Sequence, residues 1–274
     1  GAAAIANHLS SFCNSVNFVT IIGKKKDFFK FIKNSLKKNI ITKFFYKINS
    51  PTILKKRFID IVTKNKLLGV YSINDEKLEK NLELELQNYI KKMSSKNDLI
   101  LISDYGHGFI SSKTAKLILS QRNFVSLNAQ VNASNHGYHS LRKFKKIDTL
   151  IINEIELRHE MRDKINSIEK LSYKLIKNFN IKNLIITRGT NGAIIIKKNS
   201  KPVYCPAFAN KVVDKVGAGD AMLAIISLCL KKKFPDDLTL FLGAIAGATV
   251  VENIGNSKFI DKNQMLRQVE FLIK

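Results

Sequence analysis

The feature that most constrains the fold is an alternation of short apolar runs with longer stretches of helical apolar spacing. The runs lie at 99–103, 124–127, 149–152 and 184–187, and helical stretches lie near 77–93, 112–121 and 163–179. This alternation is typical of right-handed βαβ units, whose parallel strands are covered by helices. Edge strands are expected at 193–197 and 203–205, and further helices near 218–231, 237–252 and 262–273. The sequence therefore predicts a single α/β domain, spanning 1–274, around a mostly parallel sheet.

A different pattern precedes this region. A turn into a helix at 1–12, a strand at 16–22 and a helix at 27–38 are followed by three β-branched or aromatic runs. These runs lie at 40–48, 52–61 and 66–73 and are separated by polar breaks at 49–51 and 64–65. Three consecutive short strands predict a small sheet that projects from the core as an insertion at about 40–73.

A glycine-rich turn opens one of the predicted helices. Gly217-Ala218-Gly219 is followed by Asp220 and then by an apolar run at 221–230. Backbone N–H groups of such a turn can approach a phosphate closely, and the helix N-terminus adds a positive partial charge. Asp220, beside the phosphate, is suited to deprotonate a hydroxyl that attacks a phosphoryl group. The alternative is an aspartate that only complements the helix dipole.

Polar residues follow several of the predicted strands. Asp104, Asn153 and Gly189 each come just after a strand, and ligands of open α/β sheets bind beyond the carboxyl ends of the strands. Asn153 and Glu156 are three residues apart at a helix start, so both side chains face one side of the helix. An amide and a carboxylate placed in this way can organise the water ligands of Mg²⁺. Each segment also has a purely structural explanation, namely a turn that caps a helix at Asp104, a capping motif at Asn153, and a hairpin signal at Asn191-Gly192.

Taken together, five segments resemble the PfkB/ribokinase family of carbohydrate kinases, nearest its heptose-phosphate kinase branch. They are Gly1-Ala2-Ala3-Ala4-Ile5-Ala6, Ser103-Asp104-Tyr105-Gly106-His107-Gly108, Asn153-Glu154-Ile155-Glu156, Thr187-Arg188-Gly189-Thr190-Asn191-Gly192, and Asp214-Lys215-Val216-Gly217-Ala218-Gly219-Asp220. They occur in the family's order and cover nearly the whole chain.

The resemblance implies a ribokinase-like three-layer α/β/α sandwich whose small β-sheet forms a lid over the sugar and often a dimer contact. It implies transfer of a phosphoryl group from ATP to a sugar or sugar phosphate. Asp220 would be the base, and Gly217, Ala218 and Gly219 the anion hole. The implied nucleotide and magnesium residues are Asn153, Glu156 (to Mg²⁺ through water), Thr187, Gly189, Gly192 and Lys215, with 244–255 covering the base. The implied substrate residues are Gly1, Asp104, Gly106 and His107.

The chain also departs from the family pattern. Ala4 stands where the family has Asn, Lys215 where it has Thr, and His107 where the related branch has Lys. The strand that normally precedes the first motif is missing, and we expect an excised domain or an upstream partner such as a fused nucleotidyltransferase domain. Two alternatives therefore stay open: a kinase-derived binding or assembly module without turnover, and a nucleoside kinase.

The amino-acid composition limits the classes of partner and the compartment that we expect for this chain. The formal net charge is +24, but the lysines are scattered and no nucleic-acid-binding motif accompanies them, so we expect no nucleic-acid partner. No apolar stretch approaches the ~20 residues of a membrane span. The three cysteines, which are far apart, favour neither a disulfide framework nor a zinc site, and they fit a reducing cytoplasm.

Overall fold

The computed structural model describes residues 1–63, 66–131, 135, 140–209, 211–255 and 257–273. Its helices are α1 (Ala2–Leu9), α2 (Phe29–Asn34), α3 (Lys80–Ser94), α4 (Ser112–Leu119), α5 (Glu154–Met161), α6 (Ile168–Phe179), α7 (Ala218–Lys231), α8 (Asp236–Val251) and α9 (Lys262–Ile273). Its strands are β1 (Val16–Gly23), β2 (Ile40–Lys47), β3 (Leu54–Ile59), β4 (Lys66–Ser72), β5 (Leu99–Asp104), β6 (Phe124–Ala129), β7 (Thr149–Asn153), β8 (Asn183–Thr187), β9 (Ala193–Ile196) and β10 (Val203–Cys205).

The central sheet has the strand order β10-β9-β8-β7-β6-β5. The strands from β5 to β8 are parallel, whereas β9 and β10 pair antiparallel at one edge. Successive residues of β7 face opposite sides: Leu150 packs in a cluster with Leu175 of α6, and Ile151 in a cluster with Leu223 of α7. Helices therefore cover both faces, which confirms the predicted three-layer α/β/α fold.

A second, two-stranded parallel sheet is formed by β1 and β2, with Val16 opposite Ile40. The run at 40–48 was expected in the projecting sheet, but it pairs with β1 instead. The pattern of short β-branched runs could not distinguish the two placements, because such a pattern identifies a strand but not its pairing partner. Residues of β1 and β5 line one cavity. Across it, the side-chain amide of Asn17 donates to Oδ1 of Asn97 over 2.9 Å.

The projecting sheet therefore consists of β3 and β4, an antiparallel pair that we call the lid. One face of the lid carries Lys55 and Arg57, which line the main cavity. The other carries Phe58, Leu68 and Val70, with exposures of 52%, 56% and 47%. The lid thus presents cations inward and an apolar surface outward.

Close packing of α7 against α8 fixes the glycine-rich turn at the carboxyl edge of the sheet. A Cβ on Gly243 of α8 would lie only 2.5 Å from Cγ1 of Ile226 in α7, so the approach requires glycine. Within the described ranges, no helix is both long and apolar enough to cross a membrane.

Candidate active site

The parallel strands bring the predicted site residues to one edge of the sheet. Asp104 is the last residue of β5, and Asn153 and Thr187 end β7 and β8 as direct cross-strand neighbours. The N-terminus of α7 lies at the same cavity. Segments far apart in the sequence therefore meet, as their positions after strands predicted.

The glycine-rich turn has the conformation of an anion cradle. Gly217 is the N-cap of α7 with φ 98°, a region that favours glycine. A Cβ built on Gly219 would meet no atom within 4 Å, so the space beside its backbone is open to a ligand. The N–H groups of the first helical turn have no intrahelical partner and can donate to a phosphate. Lys215 is exposed at the cavity edge.

Asp214 holds this turn in place, a role that the sequence did not reveal. Its Oδ1 accepts the N–H of Val216 over 3.0 Å, and its Oδ2 accepts that of Gly255 over 2.9 Å. The N–H groups of Val213 and Asp214 donate to the carbonyl of Val251. The turn is therefore tied to the end of α8 and to the segment that was expected to cover the nucleotide base.

Asp220 lies in the first turn of α7, with its side chain 12% exposed, and contacts the nitrogen of Gly1. This contact joins two motifs that are 219 residues apart. The hydroxyl oxygen of Tyr105 is close as well, since a Cβ on Gly1 would lie 3.4 Å from it. Asp220, Gly1 and Tyr105 therefore meet at the main cavity.

Asn153 and Glu156 form a reciprocal capping box at the start of α5. The Asn153 N–H donates to Oε2 of Glu156 over 2.8 Å, and Oε1 of Glu156 accepts the N–H of Val131 over 3.0 Å. Burial raises the pKa of Glu156 to about 7, against the opposing effect of these two hydrogen bonds. The structure therefore contains the capping motif that was the structural alternative for these two residues, and their role toward Mg²⁺ stays a prediction.

The turn after β8 requires glycine at two positions. Gly189 has φ 57° and Gly192 has φ 76°. A Cβ on Gly192 would lie 2.0 Å from the carbonyl oxygen of Cys205. Directly before Gly189, Arg188 places its Nε 3.7 Å from Oε2 of Glu154, so a cation to which sequence reasoning gave no role lies beside this turn at the main cavity.

Asp104 organises the loop after β5, and its expected contact with the substrate stays a prediction. Its buried carboxylate forms an ion pair with Lys143, and its Oδ1 accepts the N–H of Gly106 over 3.1 Å. The ring of His107 stacks on that of Tyr105 with centroids 6.4 Å apart. Sequence reasoning missed Lys143 and Tyr105, because a lone lysine in a charged segment and a tyrosine in a turn carry no distinctive spacing.

Comparison with known proteins decides the family. The model of the pfkB family carbohydrate kinases matches residues 1–263. The chain belongs to this family. That membership confirms the predicted carbohydrate-kinase class, and ATP is the phosphoryl donor that the class implies.

The curated relatives that the chain matches share less than a quarter of their aligned residues with it. The chain is 22% identical over 260 residues to the bifunctional protein HldE of Trichlorobacter lovleyi, covering 94% of this chain and 52% of that protein. It is 23% identical over 274 residues to HldE of Blochmanniella floridana, covering 99% and 56%. The chain therefore spans about half the length of the curated relatives that it matches.

Solved structures agree on the fold. Escherichia coli phosphofructokinase-2 in complex with fructose-6-phosphate superimposes with a TM-score of 0.75 at 12% identity, covering 99% of this chain and 86% of that one. Arabidopsis thaliana ribokinase complexed with ribose and ATP superimposes with a TM-score of 0.72 at 18% identity, covering 98% and 85%. These likenesses establish the ribokinase-like fold.

Proposed function

We propose that the chain transfers the γ-phosphoryl group of ATP to a hydroxyl of a sugar or sugar phosphate. The observation that carries this proposal is the position of Asp220, directly after the open glycine turn and against Gly1. A carboxylate between an anion cradle and an acceptor pocket is suited to take the proton of the attacking hydroxyl. Asp220 is therefore assigned as the general base.

The charge that develops on the phosphoryl oxygens would be stabilised by the N–H groups of Gly217, Ala218 and Gly219. Lys215 adds a cation, and Thr187, Gly189 and Gly192 line the nucleotide side. Among the described residues no group of three His, Cys, Asp or Glu side chains could hold a metal by itself. A magnesium ion would therefore need the ATP phosphates and water, with Asn153 and Glu156 behind that water. This donor set suits Mg²⁺, which when bound would neutralise phosphate charge.

The lid supports an acceptor that is itself anionic. Lys55 and Arg57 share its inner face, and burial together with the charge of Arg57 lowers the pKa of Lys55. In the described part of the chain, no carboxylate pairs with either cation. Two adjacent unneutralised cations favour a sugar phosphate over a neutral sugar or a nucleoside. The rest of the acceptor pocket would be formed by Gly1, Asp104, Gly106 and His107, and Asp104 would also fix the loop after β5.

Two substitutions separate nucleotide binding from chemistry. Asp220→Asn keeps the side-chain shape but removes the base, so we expect turnover to fall at least about a hundredfold with little change in nucleotide affinity. Gly219→Ala places a methyl group in the open space of the cradle, so we expect nucleotide affinity to fall while thermal stability is kept.

Both variants are compared with the unmodified chain by calorimetric titration with a non-hydrolysable ATP analogue and Mg²⁺. Turnover is measured on ribose, fructose 6-phosphate and sedoheptulose 7-phosphate. Near-normal turnover of Asp220→Asn would remove Asp220 from the base role. Unchanged nucleotide affinity of Gly219→Ala would remove the turn from phosphate binding.

The second candidate is a binding or assembly module without turnover, which Ala4 favours because it stands where the family has Asn. Nucleotide binding without turnover on any acceptor, including nucleosides, would favour the module.

Two partner proposals follow. The outward face of the lid, with Phe58, Leu68 and Val70, supports a homodimer through the lid, which sedimentation at several concentrations would test. The chain spans about half the length of relatives named as bifunctional, which supports the fused nucleotidyltransferase domain expected from the family resemblance; the sequence of the complete gene would test it.

A further inference from the structure

Tyr105 lies where three parts of the site meet. Its hydroxyl oxygen is next to Gly1, and Lys55 of the lid places its ammonium 5.7 Å from the centre of the Tyr105 ring. Burial raises the pKa of Tyr105, and the negative charge of Asp220 raises it further. The Tyr105 hydroxyl is thus a buried donor close to the carboxylate that we assign as the base, since both groups lie against Gly1.

The hydroxyls of Tyr105 and Ser103 are both inaccessible to solvent, and within the described ranges neither has a hydrogen-bond partner of regular geometry. They are near each other, and a hydrogen bond from Ser103 would oppose the rise in the Tyr105 pKa. A buried hydroxyl without a partner destabilises the folded chain, so a use for these groups is expected. Hydrogen bonds of catalytic groups are often long in free enzymes and shorten when the reactants bind.

We propose that Tyr105 is a positioning residue for Asp220: its phenol O–H, backed by the hydroxyl of Ser103, donates to the Asp220 carboxylate and fixes the carboxylate toward the acceptor. This inference rests on the proposed function. The direction of donation follows from chemistry, because an ionised carboxylate can only accept hydrogen bonds. A carboxylate that is held in one orientation does not have to reorganise during the reaction.

The surroundings of Tyr105 hold its ring in place for this role. The side-chain amide of Asn135 donates to the Tyr105 carbonyl over 2.8 Å, and His107 stacks on the ring. Phenylalanine would keep the ring, the stacking and the contact with Lys55. Tyr105→Phe therefore removes the hydroxyl alone.

The test compares Tyr105→Phe with Tyr204→Phe. The control removes a hydroxyl that donates to Glu169 over 3.0 Å at an exposed site. Hydrolysis of MgATP without sugar, and transfer to ribose and to fructose 6-phosphate, are measured together with thermal stability and affinity for the ATP analogue. In every assay in which the unmodified chain shows turnover, we expect the kcat of Tyr105→Phe to be roughly tenfold lower. Its KM, nucleotide affinity and thermal stability should be unchanged. Ser103→Ala should lower kcat less, and Tyr204→Phe should leave it unchanged.

A double-mutant cycle shows whether Tyr105 acts through Asp220. In the Asp220→Asn background, Tyr105→Phe should have no further effect on kcat. An effect of the same size in both backgrounds, a raised acceptor KM, or a loss of stability that accounts for the change would overturn the positioning role. A kcat of Tyr105→Phe within twofold of that of the unmodified chain would also overturn the positioning role. If the unmodified chain neither hydrolyses MgATP nor phosphorylates any acceptor, the proposed function fails, and the role of Tyr105 fails with it.

Discussion

Replacing His8 by asparagine tests how the burial of one side chain sets the pH dependence of folding. His8 lies on α1, is 0% exposed, and accepts the N–H of Ile260 at Nδ1 over 3.2 Å. Its ring packs edge-to-face on Phe259. Burial lowers the pKa of His8 to about 4, although the charge of Asp220 acts in the opposite direction. The folded chain therefore keeps His8 neutral down to a pH at which an exposed histidine is charged.

The sign and size of the effect follow from this lowered pKa. Between the pKa of an unfolded histidine, about 6.5, and that of the folded state, the unfolded chain binds a proton that the folded chain does not. The contribution of His8 to the free energy of unfolding is therefore present near neutral pH and is lost as the pH falls. From pH 7 to pH 5 the loss amounts to about 2 kcal/mol.

The measurement is urea unfolding of the unmodified chain and of His8→Asn, followed by far-ultraviolet circular dichroism at several pH values from 5 to 7. Asparagine can still accept the Ile260 N–H but does not titrate, and all other ionisable groups are common to both chains. The difference in unfolding free energy between the two chains should therefore shift by about 2 kcal/mol across this range, with the unmodified chain losing more. Two curves that run parallel would refute the reasoning.

Three further predictions concern the site. Lys143→Met should destabilise the fold by about 3–5 kcal/mol, because it leaves the buried Asp104 carboxylate unpaired, and adding Asp104→Asn should restore part of that loss in urea unfolding. Gly192→Ala should lower both thermal stability and nucleotide affinity, because its φ of 76° is strained for alanine and the methyl group would meet a backbone carbonyl of β10; normal values of both would contradict this. Lys55→Gln combined with Arg57→Gln should raise the KM for fructose 6-phosphate and leave that for ribose unchanged, and equal changes for both sugars would refute a phosphate contact.

Much of the site was predictable because its chemistry depends on the backbone. An anion cradle needs glycines at fixed spacing before a helix, and a site beyond parallel strands needs polar residues directly after apolar runs. Both patterns are local, so Gly217, Asp220, Asn153 and Thr187 could be named before any contact was known. Their roles remain proposals, but the structure brings them to one edge of the sheet.

The tertiary structure decided the pairings that local spacing does not encode. Nothing in the run at 40–47 indicates that it pairs with β1 rather than with the lid, because a strand's partner is selected by the buried surface that the pairing completes. The partner of Asp104 is Lys143, and the neighbours of Asp220 are Gly1 and Tyr105, all from segments distant in the chain. The sequence by itself determined the α/β architecture and the glycine turn, since each follows from periodicity or backbone freedom over a few residues. Only folding determined which charges and hydroxyls face one another, because burial and distance arise from packing between remote segments.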